Sequence, residues 1–329
     1  MPAAPYSFAL TLFATGVIAN MCFSRMGFFP FDQSIIFDGG WRILSGQVPW
    51  RDFVTPNGVI PAAMQAVFFA ALGTNWFAYC LHASIINGLF GVILFFLLVR
   101  LHLPTPLACF YGLCSLFFFY PPFGVPYMDQ HSFFFTLAAI TCAIFGNSAS
   151  NRRAQRFLWG AVPFLGFAAF LSKQVPFAFA ALSLPAILFL PDRAKLRTRL
   201  SGASIGLLVT CALCVLLFAL LQMKMSAFIE YVFVRSSEVG SARTGSLAQL
   251  WQIVITQYTA IPRGMGLTFA PNIIFLYSVS SIAFLFLFGL WLILRRAAAM
   301  KWDLCRLFSC LLLAPVMYFT SVVTGLVTN

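Results

Sequence analysis

Charge is what this chain has least of. Eight of its 329 residues are acidic and three are histidine, and charged residues of both signs make up 9% against 61% hydrophobic. With a mean hydropathy of +0.92, so little charge cannot clothe a soluble body. Repeated apolar runs of about 18 or more residues are instead the lengths that cross a bilayer. The motifs of soluble enzymes are missing: there is no P-loop, no Rossmann glycine run and no HExxH. Three scattered histidines, His82, His102 and His131, do not support a His-rich zinc site. His131 stands at a span start near Asp129, where a structural or capping use is the simpler reading. No internal repeat of fixed period is visible, nor the inverted repeat of many transporters. The nine cysteines fall nearly all within apolar runs, so no disulfide framework is indicated. Cys211 and Cys214 have CxxC spacing, but they sit mid-span among Leu and Val, where cysteine behaves as a small hydrophobe. The N-terminal MPAAPYSFAL lacks Lys and Arg, which favours an uncleaved first helix over a signal peptide.

What the chain does have is apolar helix and a basic surplus of +12. The surplus does not point to nucleic acid, because the basic residues lie in short loops between apolar runs, as cytoplasmic loops do. The pattern predicts one all-α domain over residues 1–329, a polytopic transmembrane bundle of about nine spans. These are at 6–23, 75–99, 104–120, 131–147, 157–172, 175–191, 200–222, 271–294 and 304–323. Residues 59–73 are too short for a comfortable span and begin beside Pro61, so they read as a short half-buried helix. With nine spans, four basic clusters share one face: Arg100; Arg152, Arg153 and Arg156; Arg193, Lys195, Arg197 and Arg199; and Arg295, Arg296, Lys301 and Arg306. The positive-inside rule puts that face in the cytoplasm, leaving Arg25 as a small conflict outside. The expected location is a bacterial inner membrane, with any site facing the periplasm or exterior.

The opposite face gathers six of the eight acids: Asp32, Asp38, Asp52, Asp129, Glu230 and Glu238. It also carries Arg25, Arg42, Arg51, Lys173, Lys224, Arg235, Arg243 and Arg263, the last four on a long outer loop over 223–270 or at its edge. Mixed charge beside the membrane on one face looks like a site for a charged substrate. Residues 33–45 predict an amphipathic interfacial helix, with Ile36, Phe37, Trp41 and Leu44 clustered at helical spacing. Asp32 is placed to cap it, Gly46 to stop it, and Gly39 and Gly40 to admit another backbone or a ligand. Asp38 and Arg42 have the spacing of a helical ion pair, and Arg51 and Asp52 fit a solvated loop. Asp32 and Asp129 read singly as helix caps, but together as two acids entering one face from separate loops. Lys173, between two apolar runs in FLSKQVPFAF, either snorkels or supplies a point charge for a lipid phosphate. Arg235, Arg243 and Arg263 would add bidentate phosphate contacts.

These stretches resemble the GT-C superfamily of integral-membrane glycosyltransferases, which includes protein O-mannosyltransferases and aminoarabinose transferases. The resemblance rests on Asp32 after the first helix, on Gly46-Gln47-Val48-Pro49-Trp50-Arg51-Asp52-Phe53, and on Pro56-Asn57-Gly58 with Pro61. It continues with Asp129 in YMDQHSFFF and Lys173 in LSKQ, covering roughly residues 1–200. It implies a polyprenyl-phosphate-linked sugar donor and a lipid, glycan or protein acceptor, in the setting of a cell envelope. Asp32 and Asp129 would be catalytic, with Asp32 as the base. Lys173, Arg42, Arg51, Arg235 and Arg263 would bind substrate. Two departures qualify it. Gln33 stands where many members have a second acid, so a divalent cation is left open as a cofactor, and many members continue beyond the equivalent of residue 329, which makes this a short member. A transporter or flippase for a lipid-linked or anionic substrate would use the same cations without a base, and a non-catalytic scaffold would need neither.

Overall fold

A computed structural model describes residues 4–25, 32–55, 57–120, 124–174, 184, 195–236 and 238. It divides into two compact units, Met1–Ala227 and Phe228–Asn329. The first unit holds eight long helices among the described residues: α1 (Ala4–Phe23), α2 (Asp32–Leu44), α3 (Val59–Leu72), α4 (Trp76–Arg100), α5 (Thr105–Phe118), α6 (Met128–Ser148), α7 (Arg152–Ser172) and α8 (Leu196–Leu220). Five of them, α1, α4, α6, α7 and α8, are long and apolar enough to cross a membrane. α3 and α5 are shorter apolar helices, so the expected span over 104–120 becomes a 14-residue helix. No strand occurs among the described residues. The spans expected at 271–294 and 304–323 lie outside them, as do Arg243, Arg263 and all but residue 184 of the span expected at 175–191.

Small residues and buried amides set the helix crossings. A Cβ on Gly88 of α4 would stand 2.7 Å from the Phe13 carbonyl oxygen, and one on Gly16 of α1 would stand 2.7 Å from the Gly88 Cα. The two backbones therefore touch. Asn20 Nδ2 donates to Ser84 Oγ at 2.9 Å and to the Gly124 carbonyl at 3.2 Å. Asn87 Nδ2 donates to the carbonyls of Gly16 at 3.0 Å and Leu116 at 2.9 Å, tying α1, α4 and α5 together. In an apolar solvent such interhelical bonds replace a missing hydrophobic drive, at about 0.6–2 kcal/mol each. α7 and α8 meet as closely: a Cβ on Gly206 would lie 2.1 Å from the Gly160 carbonyl oxygen.

These contacts fix which helix ends lie together. Tyr6 meets Phe96, so the start of α1 lies at the end of α4. Gly202 packs on Arg156 and Trp159, so α7 and α8 run parallel from a shared starting end. Arg199 and Trp159 both donate to Asn147 Oδ1 near the end of α6. One end of the bundle thus holds Arg100, Arg152, Arg153, Arg156, Lys195, Arg197 and Arg199. The other holds Asp38, Asp52 and Asp129, the start of α4 and the exits of α7 and α8.

α2 is the expected helix, with a different buried face. Ile36, Gly39 and Gly40 are buried, Phe37 is half-buried, and Trp41 and Leu44 are exposed. The glycines admit α3: a Cβ on Gly39 would meet the Ala62 Cβ at 2.9 Å, and one on Gly40 the Gln65 Cγ at 2.8 Å. α2 ends at Gly46, whose φ of +86° is a left-handed turn that glycine adopts without strain. Gln47 N–H donates to the Arg42 carbonyl and Gly46 N–H to the Ile43 carbonyl, the paired bonds of a Schellman stop. α3 is the expected short helix, burying Val59, Pro61, Ala62, Gln65, Ala66 and Phe69.

Candidate functional site: an ion pair and a histidine chain at one end of the bundle

Asp129 sits in the first turn of α6, where the helix dipole favours an anion. The N-cap is Tyr127, so Asp129 is not the cap of its helix. Its Oδ2 instead accepts a hydrogen bond from Lys173 Nζ at 2.8 Å, and the two side chains keep only 11% and 17% exposure. Lys173 is the residue that ends α7, in extended backbone. Its carbonyl accepts from Ser132 Oγ of α6, and the neighbouring Ser172 carbonyl accepts from Gly58 N–H. The ends of two spans and the 55–58 turn are thereby held at one point. Asp129 Oδ1 is buried and has no hydrogen-bond partner. That carboxylate therefore has one oxygen held and one buried oxygen left unsatisfied.

The start of α2 comes to the same region. A Cβ on Gly58 would lie 3.0 Å from both Ile36 Cδ1 and Met128. Ile36 is one turn beyond Asp32, which begins α2; Met128 adjoins Asp129. Beside this contact a cleft of about 350 Å³ opens between α2 and the start of α4, lined by Ser34, Phe37, Asp38, Trp41 and Trp76. Its lining is almost wholly apolar, with the Asp38 carboxylate at the edge.

The other residues expected to bind substrate are engaged. Arg42 Nε donates to Asp38 Oδ2 at 2.7 Å, the i,i+4 pair its spacing predicted, and its guanidinium stands 5.7 Å from the Phe53 ring. Arg51 pairs with Asp52 at 2.8 Å and also donates to the Leu221 carbonyl at the end of α8. Asp52 Oδ2 accepts from Val48 N–H. Trp50, at φ +58°, is buried against Phe218 with its indole N–H on the Thr55 carbonyl. The Gly46–Phe53 stretch therefore acts structurally: it stops α2, turns the chain and fastens α8. The Arg51 hydrogen bond and charge hold the Asp52 carboxyl below its ordinary range, and the Val48 N–H adds to this. In the second unit, Arg235 ends a stretch of π-helix, Glu230–Arg235, and pairs with Glu230 and Glu238. Part of the expected 223–270 loop is thus helical.

A second polar cluster was not anticipated. His82 of α4 and His131 of α6 place their Nε2 atoms 2.9 Å apart. His82 Nδ1 lies 2.9 Å from Gln65 Oε1 of α3. His131 Nδ1 lies 2.5 Å from the Tyr120 hydroxyl and 2.9 Å from the Tyr127 carbonyl. Both rings are fully buried. The sequence signal was available: two histidines in apolar runs, where a polar side chain needs a partner. Among the described residues no group of three metal-ligating side chains converges. Comparison of the chain with known protein families, with curated proteins and with solved structures finds no match.

Proposed function

We propose that this protein is a polytopic membrane glycosyltransferase that moves a sugar from a polyprenyl-phosphate donor to a lipid, glycan or protein acceptor on its non-cytoplasmic face. The observation that carries the reading is Asp129: buried, held at one oxygen by Lys173, unpartnered at the other, and beside the start of α2 where Asp32 lies. Lys173 is in reach of a phosphate at the interface while anchored by the carboxylate. Asp32 serves as the base for the acceptor hydroxyl, and departure of the lipid phosphate is stabilised electrostatically. The aromatic cleft between α2 and α4 offers an apolar surface for the donor. Basic residues gathered at the opposite end support a periplasmic or exterior site under the positive-inside rule. The test is transfer of labelled sugar from a panel of polyprenyl-phosphate donors by the purified full-length protein in detergent. Product with release of free polyprenyl phosphate is expected; absence of both across the panel overturns the reading. A transporter is the second reading, favoured by the buried histidine pair, since such chains relay protons in transporters. It predicts movement of the lipid-linked substrate across a vesicle membrane with no sugar released.

A further inference from the structure

We infer that Tyr120, His131, His82 and Gln65 form a proton-binding site within the bundle that takes up one proton as a unit, at His131 Nδ1. The inference does not depend on sugar transfer.

Two imidazole Nε2 atoms at 2.9 Å can share only one hydrogen, so the rings must differ in tautomer or charge. With the Gln65 carbonyl oxygen facing His82, the neutral order is Tyr120 O–H donating to His131 Nδ1, His131 Nε2–H to His82 Nε2, and His82 Nδ1–H to Gln65 Oε1. This order leaves one contact without a hydrogen. The Tyr127 carbonyl faces His131 Nδ1 at 2.9 Å, acceptor against acceptor. It also faces the Tyr120 hydroxyl at 3.4 Å. A proton added to His131 Nδ1 resolves the mismatch. Nδ1–H then donates to Tyr127, Tyr120 O–H turns from Nδ1 to the same carbonyl, and the two bonds beyond are unchanged. The site gains one positive charge and exchanges the short Tyr120–Nδ1 bond for an Nδ1–H bond to the Tyr127 carbonyl, which also accepts from the His131 backbone N–H at 3.2 Å. A second proton would break the Nε2–Nε2 bond, so uptake stops at one.

The groups that face the pair carry little net charge. α3 presents Gln65 and the Phe68 ring, which stacks on His82 at 4.8 Å. α4 contributes Tyr79, and the segment after α5 contributes Tyr120; these phenols interact. α6 contributes Asp129, within Coulombic range of Tyr120, and α7 contributes Lys173, whose charge Asp129 already offsets. Burial and the N-terminal dipole of α6 both oppose a cation at His131.

The full-length protein in lipid nanodiscs, carrying ¹⁵N-labelled histidine, tests this directly, because the three histidines are His82, His102 and His131. The neutral state should show His131 protonated at Nε2 and a scalar coupling between the two Nε2 atoms across their hydrogen bond. As pH falls, His82 and His131 should change together with one inflection and one proton, and His102 separately. Tyr120→Phe removes the donor to Nδ1. In its neutral form the proton on His131 should then sit on Nδ1, against Tyr127. Independent titration of the two rings overturns the proposal, as does an unchanged spectrum of the pair down to the pH at which helical circular dichroism is lost. A His131 tautomer that Tyr120→Phe leaves unchanged, in a variant with wild-type helical content, overturns it as well.

Discussion

Lys173 Nζ lies 2.8 Å from Asp129 Oδ2, across 44 residues of sequence, and the other oxygen of that carboxylate is buried with no partner. The pair joins the end of α7 to the start of α6 with both side chains largely out of solvent. Removing one member strands the other charge, a loss of about 3–5 kcal/mol for a buried pair. Lys173→Ala should therefore lower stability by about that much. The double variant Lys173→Met with Asp129→Asn should lose much less, because no buried charge remains. Unfolding of the single and double variants in dodecyl maltoside checks this; equal losses would show that the pair is not coupled.

The α2–α3 crossing makes a second prediction. A methyl on Gly40 would stand 2.8 Å from Gln65 Cγ and 3.3 Å from the Ala62 carbonyl oxygen. Gly40→Ala ordinarily gains a little in a helix. Here the overpacking should dominate and cost about 1–3 kcal/mol. Gln65 also holds His82, so the displaced amide should disturb the histidine chain. Thermal unfolding of Gly40→Ala checks the sign, and an unchanged or raised midpoint contradicts the crossing.

Asp52 supports a prediction in acid. Its carboxyl is held below its ordinary value by Arg51 first and by the Val48 N–H second. A depressed folded-state value adds stability that is present above the unfolded-state value of about 3.9 and is lost as pH falls through the folded one. Asp52→Asn should therefore be less stable than the wild type near neutrality, and the gap should close as pH drops below about 4. Midpoints of both proteins across that range provide the measurement. A gap that stays constant with pH would mean that Asp52 acts through shape alone.

Local rules account for what the sequence disclosed. Gly46 could be read as a helix stop, Gly39 and Gly40 as a close approach, Asp38 and Arg42 as a pair, and Pro61 as the mark of a short helix, because each depends on neighbours within a turn. The segregation of basic residues was also legible, since helix ends alternate along a bundle. The remaining features depend on partners far off in the chain. Arg51 reaches a carbonyl 170 residues away, and His82 meets His131 across 49. Lys173 was visible as a costly charge, but nothing local named Asp129 as its partner. Phe37, Trp41 and Leu44 share a stripe with Ile36, yet the glycines decide which side of α2 faces protein.

The chemistry itself is tested at the two acids. Asp32→Asn should abolish transfer while leaving donor binding nearly intact, because an amide keeps the size and capping ability of the acid but cannot take a proton. Loss of a general base typically costs about 10²–10⁴-fold in rate. Lys173→Met should instead weaken donor binding, by removing the cation nearest a phosphate at the interface. Asp129→Asn separates the two roles: if Asp129 only orients Lys173, it should mimic the lysine variant. If its open oxygen meets the acceptor, turnover should fall with donor affinity preserved. A helix start alone predicts little change for Asp32→Asn, since Asn is itself a good cap. Rates of labelled-sugar transfer and donor affinities for the three variants decide among these. Near wild-type transfer by both Asp32→Asn and Asp129→Asn would show that neither acid is the base, and Asp38 would be the next to test.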